Sequence, residues 1–462
     1  MKINYKLTSQ GLQQKIKTLF HISAFKILNL EKTWNPEKGT PVHTVKGKYA
    51  TRGWTEWTRG FQYGSALLHY EATGDKEFLD IGRNGTWKFM PGYLTHIGVH
   101  DHGFNIISTY GNLLRFMNEE IIPFNECEQA YYKLALKVSG AVQAARWTPL
   151  MDELGYIYSF NGPHSLFADT IRSLRSLALS HQLGHVLMVE SDQKVNLLER
   201  LLIHAETTAR YNVYFGTGRD KYDVPGRVAH ESIFNLKNST YRCVSTQQGY
   251  SPYSTWTRGL AWIILGYSEQ AEYLEFLNGD KFSAINSKFY QNKAQVIERF
   301  LQVACVTSDF YIAYTPSDGI PYWDTGAPGL VKFDNYLEKP ADPFNDYEPV
   351  DSSAAAIAAQ GLLRLGHFLQ SQGDNERGDK YYQAGLTIAD HLFDEPYLAR
   401  NPDHQGLILH SLYHRPMGWD YIPRGRKIPC GESSMWGDYH ARELALYIQR
   451  ITESERYLKY YL

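Results

Sequence analysis

Cysteine is scarce in this 462-residue chain, since four cysteines lie far apart and form no CxxC pair. That spacing argues against a disulfide framework or a cysteine-based zinc site, and free thiols are expected. No stretch reaches about 18 consecutive apolar residues, so no membrane helix is expected. The first thirty or so residues also lack the apolar stretch of a secretion signal. The sequence therefore predicts a soluble protein, cytoplasmic or periplasmic.

An excess of one charge is also missing, because 47 basic and 49 acidic residues leave a formal net charge of −2. Without a broad positive field, a dedicated nucleic-acid binder is not expected. An anionic ligand would have to be held by local residues. The chain also lacks a Pro/Gly/Ser-rich linker, and we expect a single domain over 1–462.

Aromatic residues, in contrast, are plentiful, with 10 Trp, 34 Tyr and 21 Phe. Flat rings with a polar edge suit the apolar C–H faces and hydroxyls of sugars. They suit a large core equally well, so composition alone leaves both interpretations open.

Helical periodicity of apolar residues returns along the whole chain and predicts an all-α protein. The expected helices span 9–28, 56–72, 76–89, 103–119, 125–145, 166–181, 192–209, 254–276, 291–308, 352–371, 376–393 and 435–451. Twelve helices make six pairs, the number that an (α/α)6 toroid requires. Two long aromatic-rich intervals, 210–253 and 309–350, interrupt the rhythm and are expected to wall a cleft at one end.

One candidate binding element is QGYSPYSTWTRGLAW, at 248–262. Ser254 or Thr255 could cap a helix on which Arg258 and Trp262, four residues apart, share a face. Gln248 and Trp256 approach from the preceding loop. A sugar that carries a carboxylate could use all four side chains. The alternative is an ordinary amphipathic helix with Arg258 stacked on Trp262.

A candidate acid is Asp169, in the segment HSLFADTIRSLRSL at 164–177. Burial at the mouth of the toroid could raise its pKa enough for acid catalysis. The alternative is a surface aspartate paired with Arg172 three residues later.

The segment His100-Asp101-His102-Gly103-Phe104 precedes another expected helix. Asp101 could be a helix N-cap, a metal ligand together with the histidines, or a second acid in a cleft. The run DSSAAA at 351–356 reads as a helix start with Asp351 as the cap.

Taken together and in this order, these segments resemble the unsaturated glucuronyl hydrolases of glycoside hydrolase family 88. HDHGF, the LFADTIRSLRSL run, His230, QGYSPYSTWTRGLAW, IPYWD at 320–324, DSSAAAIAA at 351–359 and WGDYHARELAL at 436–446 carry the resemblance. It extends from about residue 50 to residue 450, and it implies the same (α/α)6 toroid.

The resemblance implies removal of a terminal 4,5-unsaturated uronic acid from an oligosaccharide by hydration of the C4=C5 enol ether. It places Asp169 at the acid/base position and Asp101 at the second essential carboxylate. Substrate-binding positions fall on His100, Trp147, His230, Gln248, Trp256, Arg258 and Trp262, with Arg258 near the substrate carboxylate. No metal or organic cofactor is implied.

The chain departs from the family pattern at Pro252-Tyr253, where acidic residues are usual, and around Asn161–His164. These departures concern the substrate more than the reaction. The alternatives are an unsaturated galacturonyl or rhamnogalacturonyl hydrolase, a carbohydrate-binding toroid without turnover, and a sugar isomerase. The sequence says nothing of the oligomeric state.

Overall fold

A computed structural model of the protein describes residues 1–53, 56–279, 282, 289–453 and 457–461. Helices dominate the described chain. They are α1 (Gln13–Thr33), α2 (Arg59–Thr73), α3 (Lys76–Phe89), α4 (His102–Asn105), α5 (Asn112–Asn118), α6 (Glu126–Ala145), α7 (Thr170–Ser173), α8 (Arg175–Gln182), α9 (Leu197–Tyr211), α10 (Thr257–Phe276), α11 (Lys293–Tyr314), α12 (Ser352–Ser371), α13 (Asn375–Leu392) and α14 (Met435–Glu453). A π-helical turn, Ile107–Gly111, joins α4 to α5, and only Leu174 separates α7 from α8.

These helices form two concentric rings. In the inner ring, contacts run from α2 to the α4–α5 segment, then to α7–α8, α10, α12 and α14, and back to α2. The outer helices α1, α3, α6, α9, α11 and α13 pack against the inner ones. Counting the joined segments once, the described chain has six inner and six outer helices, which confirms the predicted (α/α)6 toroid.

Burial explains why the inner helices carry small or apolar residues on all sides. Residues 354–359 of α12 (AAAIAA) are all inaccessible to solvent, and α10 is buried from Thr257 to Leu274. A helix surrounded by protein needs no polar face, in contrast to an ordinary amphipathic surface helix.

The strands are short and occupy the connections between helices. They are β1 (His43–Val45), β2 (Lys48–Ala50), β3 (Trp147–Pro149), β4 (Gly155–Ile157), β5 (Ser165–Phe167), β6 (Leu187–Met188), β7 (Lys194–Val195), β8 (Glu231–Asn235) and β9 (Thr240–Ser245). β5, β8 and β9 make an antiparallel sheet, and β1–β2, β3–β4 and β6–β7 are hairpins. The expected helix at 166–181 begins only at Thr170, because Ser165–Phe167 pair with β8 instead.

Two further helices begin later in the chain than predicted. The helix expected from 254 begins at Thr257, after Trp256, and neither Ser254 nor Thr255 caps it. The one expected from 192 begins at Leu197, capped by Asn196. Asp351 caps α12 by accepting from the Ser353 backbone amide, as predicted.

A buried ionic cluster fills the axis of the toroid. Arg172 Nε lies 2.8 Å from Glu269 and its Nη2 3.0 Å from Glu443, and all three side chains are buried. Arg364 pairs with Glu272 at 2.8 Å. The alternative in which Arg172 pairs with Asp169 on the surface is therefore wrong. Among the described residues, no helix is long and apolar enough to cross a membrane.

Candidate active site

A cleft of about 520 Å³ opens at the end of the toroid where the inner helices begin. Its wall contains most of the predicted site residues, namely His100, Asp101, Asp169, Gln248, Trp256, Arg258 and Trp262. Rings from Trp57, Phe104, Phe160, Phe167, Tyr413, His414 and Trp419 complete much of the remainder. The size and the mixture of aromatic walls with few polar groups are typical of ligand sites.

Asp169 sits at the start of α7 in the cleft wall. Strand β5 leads the chain to it, and the amide of Ala168 donates to the carbonyl of His230 in the last sheet bond. The Asp169 side chain makes no capping bond to α7, and its Oδ1 has no hydrogen-bond partner among the described residues. The carboxyl group thus lines the cleft without being committed to the helix.

Asp101 reaches the same point from the start of α4. Its side chain does not cap that helix, so the N-cap alternative is not what the structure shows. Gly103 lies so close to the Ser173 backbone that a Cβ at this position would overlap it. The Gly103 amide donates to the Ser173 hydroxyl at 2.9 Å. A glycine at this crossing therefore brings α4 against α7, and with it Asp101 beside Asp169.

His100 lies between the two acids. Its Nε2 is 3.8 Å from Asp101 Oδ1 and 3.7 Å from Asp169 Oδ2. One side-chain oxygen or nitrogen from each of the three residues lies within 4.8 Å of the others. One oxygen of each carboxylate therefore lies within 4.8 Å of an oxygen of the other. We call His100, Asp101 and Asp169 the acid cluster.

Electrostatics inside the acid cluster shift the pKa values of its members in opposite directions. Burial raises the pKa of Asp101 to about 6, despite the opposing charge of His100. Burial alone would lower the pKa of His100, but the two neighbouring carboxylates outweigh it and raise that pKa. For Asp169, burial is outweighed by the imidazole of His100, and its pKa is lowered. His100 and Asp101 therefore keep a proton to higher pH than such groups ordinarily do, and Asp169 gives up its proton more readily.

Arg258 is bound on both terminal nitrogens by the protein itself. Nη1 lies 2.7 Å from Asp351 and also donates to the Leu412 carbonyl. Nη2 donates to Gln248 Oε1 at 2.9 Å and to the Tyr413 carbonyl at 2.8 Å. The guanidinium stacks on Trp256 and Trp436 rather than on Trp262, which corrects the packing alternative.

The turn that Arg258 holds belongs to a third long connection, residues 393–434, which the sequence did not single out. Asp351 accepts from the Leu412 amide, and Asp420 accepts from the amides of Tyr413 and His414. Arg258 binds the carbonyls of this turn, and Asp351 and Asp420 bind its amides. The turn is therefore held from both sides. We call residues 412–414 the clamped turn; it presents Tyr413 and His414 to the cleft.

His414 lines the cleft with an imidazole that makes no hydrogen bond within the described chain. Its side chain is buried, and neither ring nitrogen has a hydrogen-bond partner among the described residues. Burial and the nearby Arg258 lower its pKa to about 4. A neutral ring has one donor and one acceptor, which matches a sugar hydroxyl.

The two remaining predicted residues, His230 and Trp147, are not among the cleft-wall residues of the described chain. His230 lies behind the wall, with its ring 4.5 Å from Phe167 and 4.7 Å from Trp256, and burial lowers its pKa to about 4. Trp147 lies in strand β3, outside the cleft wall as far as the chain is described, with Arg200 stacked 4.0 Å over its ring. Phe160, parallel to His100, supplies a ring beside the acid cluster.

Fold and cleft together define a class of protein: an (α/α)6 toroid with an acid cluster in an aromatic cleft at one end. Within that class the chain is similar, along nearly its whole length, to unsaturated glucuronyl hydrolases. No family model matches the sequence.

Two such enzymes match in sequence. The unsaturated glucuronyl hydrolase of Formosa agariphila is 25% identical over 409 residues, covering 87% of this chain and 80% of that protein. That of Bacillus sp. (strain GL1) is 26% identical over 415 residues, covering 88% and 90%. A crystal structure of the Bacillus sp. GL1 enzyme, described as responsible for the degradation of glycosaminoglycan, matches the fold. Its TM-score is 0.66 at 23% identity, with 97% of this chain and 98% of that chain covered.

Proposed function

We propose that this chain is a glycosidase that removes a terminal 4,5-unsaturated uronic acid from oligosaccharides produced by polysaccharide lyases. The observation that carries the proposal is the acid cluster at the wall of an aromatic cleft, in a chain similar throughout to unsaturated glucuronyl hydrolases. The whole chain, 1–462, serves as one catalytic domain, because segments from residue 57 to residue 419 meet at the same cleft.

The chemistry requires an acid on one side of the sugar ring. Protonation of C4 in the C4=C5 enol ether leaves an oxocarbenium-like centre at C5, and water adds there and loses its proton. The hemiketal at C5 then opens and the glycosidic partner leaves, so that the net change is addition of one water molecule. The reaction needs no carboxylates on opposite sides of the anomeric carbon, and the close spacing in the acid cluster is compatible with that.

Asp169 is the proposed donor to C4 and, once ionised, the acceptor of the proton from water. Its pKa in the free protein is lowered, so it must gain a proton when substrate binds. A uronate carboxylate brings negative charge and displaces water, and both effects raise the pKa of a neighbouring carboxyl group. His100, 3.7 Å away, holds the proton that Asp169 then takes.

Asp101 supports the acid by its charge. Its carboxylate raises the pKa of His100. Trp256, Trp262 and the rings around them supply stacking faces, while Gln248 and His414 supply hydrogen bonds. His230 supports Trp256 from behind. Trp147 is left out of the proposed site because of its position outside the cleft.

The proposal is tested with a panel of lyase-generated disaccharides, by following the loss of ultraviolet absorbance of the double bond. Unsaturated glucuronyl, galacturonyl and rhamnogalacturonyl substrates are compared, with saturated aryl glucuronides as the control. Turnover of an unsaturated substrate alone supports the proposal. Cleavage of the saturated glucuronides would instead indicate an ordinary glycosidase, and binding without turnover a carbohydrate-binding toroid.

Turnover is expected to fall as pH rises through the raised pKa of His100, because His100 then no longer holds the proton that Asp169 takes. In Asp101→Asn the carboxylate that raises the pKa of His100 is gone. The pKa of His100 should therefore be lower, and the alkaline limb of kcat/KM should move to lower pH. A pH profile of the two proteins checks this. An alkaline limb that does not move would exclude Asp101 from control of the proton.

Turnover is also expected to survive chelation. Two carboxylates and an imidazole could hold a cation, but the proposed hydration uses only a proton and water. Enzyme treated with EDTA and desalted should keep its kcat. Loss of activity that added Zn²⁺ or Mg²⁺ restores would make the acid cluster a metal site.

A further inference from the structure

Three exposed tyrosines lie on, or pack against, the segment that carries the wall residues Gln248 and Trp256. Tyr222, Tyr250 and Tyr253 are 39%, 51% and 45% exposed. The rings of Tyr222 and Tyr253 are stacked, with centroids 4.4 Å apart and planes inclined by 25°. We call these three residues the tyrosine platform. None of them takes part in the acid cluster or the clamped turn.

Continuity of the chain places the platform at the cleft. Tyr250 follows the wall residue Gln248 by two positions, and Tyr253 precedes the wall residue Trp256 by three. Because consecutive Cα atoms are about 3.8 Å apart, these tyrosines lie within about 8 and 11 Å of the wall. The platform therefore adjoins the part of the wall that carries Gln248 and Trp256, and its rings are exposed.

Buried polar groups hold the backbone under these rings. Arg227, only 4% exposed, donates to the Tyr253 carbonyl and stacks 3.8 Å over Tyr214. The Tyr250 amide donates to the buried Asp324 at 2.8 Å. On the Tyr222 side, Asp223 accepts from three amides, those of Gly216, Gly218 and Arg219. The exposed rings are therefore presented by a fixed scaffold.

We propose that the tyrosine platform binds the sugar units that follow the one linked to the unsaturated uronate, and so makes the protein prefer oligosaccharides longer than a disaccharide. This inference rests on the function proposed above.

The direction of the substrate supports this assignment. The terminal sugar enters first, and the inner end of the cleft is closed by the buried rings of Phe104 and Trp262. The rest of the oligosaccharide must leave through the mouth. Sugars stack their C–H faces on exposed aromatic rings, and rings already held in place lose little conformational entropy on binding.

The experiment measures kcat/KM for an unsaturated disaccharide and an unsaturated tetrasaccharide from the same lyase digest. Parent, Tyr222→Ala and Tyr253→Ala are compared. We expect kcat/KM for the tetrasaccharide to fall about tenfold in either variant, which corresponds to the loss of one stacking contact. The disaccharide value should stay within about twofold, and Tyr253→Phe, which keeps the ring, should behave like the parent.

Tyr5→Ala is the matched control, since Tyr5 is 61% exposed and lies on the outer wall beside α13, where the Asn4 amide binds Thr387. It should leave both substrates unchanged. Equal losses on both substrates in the platform variants, or no loss on either, would overturn the inference. The same holds if Tyr253→Ala changes the mass of the particle in solution but not the length preference, because the rings would then contact a second copy.

Failure of the proposed function looks different. A parent protein that turns over neither unsaturated substrate contradicts that function, and the platform inference falls with it. A parent that turns over both, with no length preference to lose in the variants, contradicts the platform alone.

Discussion

Asp169→Asn should reduce kcat on an unsaturated disaccharide by about 10²–10⁴-fold, the usual cost of losing a general acid. Asparagine keeps the size of the side chain but has no proton to give to C4. The rings and hydrogen-bonding groups of the cleft are unaffected, so the disaccharide should still bind. Initial rates from the double-bond absorbance give kcat, and calorimetric titration of the variant gives the affinity.

Two further variants decide whether the loss belongs to position 169. Asp334→Asn, an exposed aspartate outside the cleft, should match the parent. Asp101→Asn should lose less than Asp169→Asn, because Asp101 acts on the proton through its charge. Parental turnover by Asp169→Asn would disprove the mechanism, and a larger loss from Asp101→Asn would make Asp101 the donor.

The toroid could be predicted from the sequence because its helices repeat one simple signal. Apolar periodicity marks each helix even where, as in the alanine-rich α12, the final burial is all round. The first residue of each helix was less predictable from the sequence. The segment Ser165–Phe167 has the apolar residues of a helix, but pairing with β8 makes it a strand. Such long-range pairing leaves no mark in the local pattern.

The structure brings Asp101, Asp169, Gln248 and Trp256, which the sequence singled out, to one cleft wall. The clamped turn was missed, although residues 393–434 contain His410, Tyr413, His414 and Trp419. The length of this connection and its aromatic rings were the signal that could have identified it. The same two features identified the intervals 210–253 and 309–350. Trp147 shows the opposite difficulty, since position along the chain did not predict that the ring lies outside the cleft.

Arg258 shows why a residue can be identified from sequence while its role is not. The pattern around it predicted a cation near a sugar carboxylate. In the structure its terminal nitrogens already bind Asp351, Gln248 and two carbonyls of the clamped turn. These partners come from distant parts of the chain, and local spacing does not reveal them. The arrangement favours a positioning role over direct capture of the substrate.

Arg258→Ala is therefore expected to destabilise the protein even without ligand. Asp351 is fully buried, and removal of its cation leaves an uncompensated charge. Loss of one partner of a buried ion pair costs about 3–5 kcal/mol in the free energy of unfolding. Urea unfolding of the free variant measures this. Turnover should also fall, because Tyr413, His414 and Gln248 lose the group that holds them.

Arg83→Ala provides the comparison, since Arg83 makes a surface pair with Asp80 at 3.5 Å. That pair should contribute no more than about 1 kcal/mol. Arg258→Lys should recover part of the stability through Asp351, but one ammonium group does not reproduce the planar fork that spans the turn and Gln248. Arg258→Ala could instead unfold at the parental urea concentration and lose affinity only for substrates with a carboxylate. That result would mean that Arg258 faces the ligand and that holding the clamped turn is not its function.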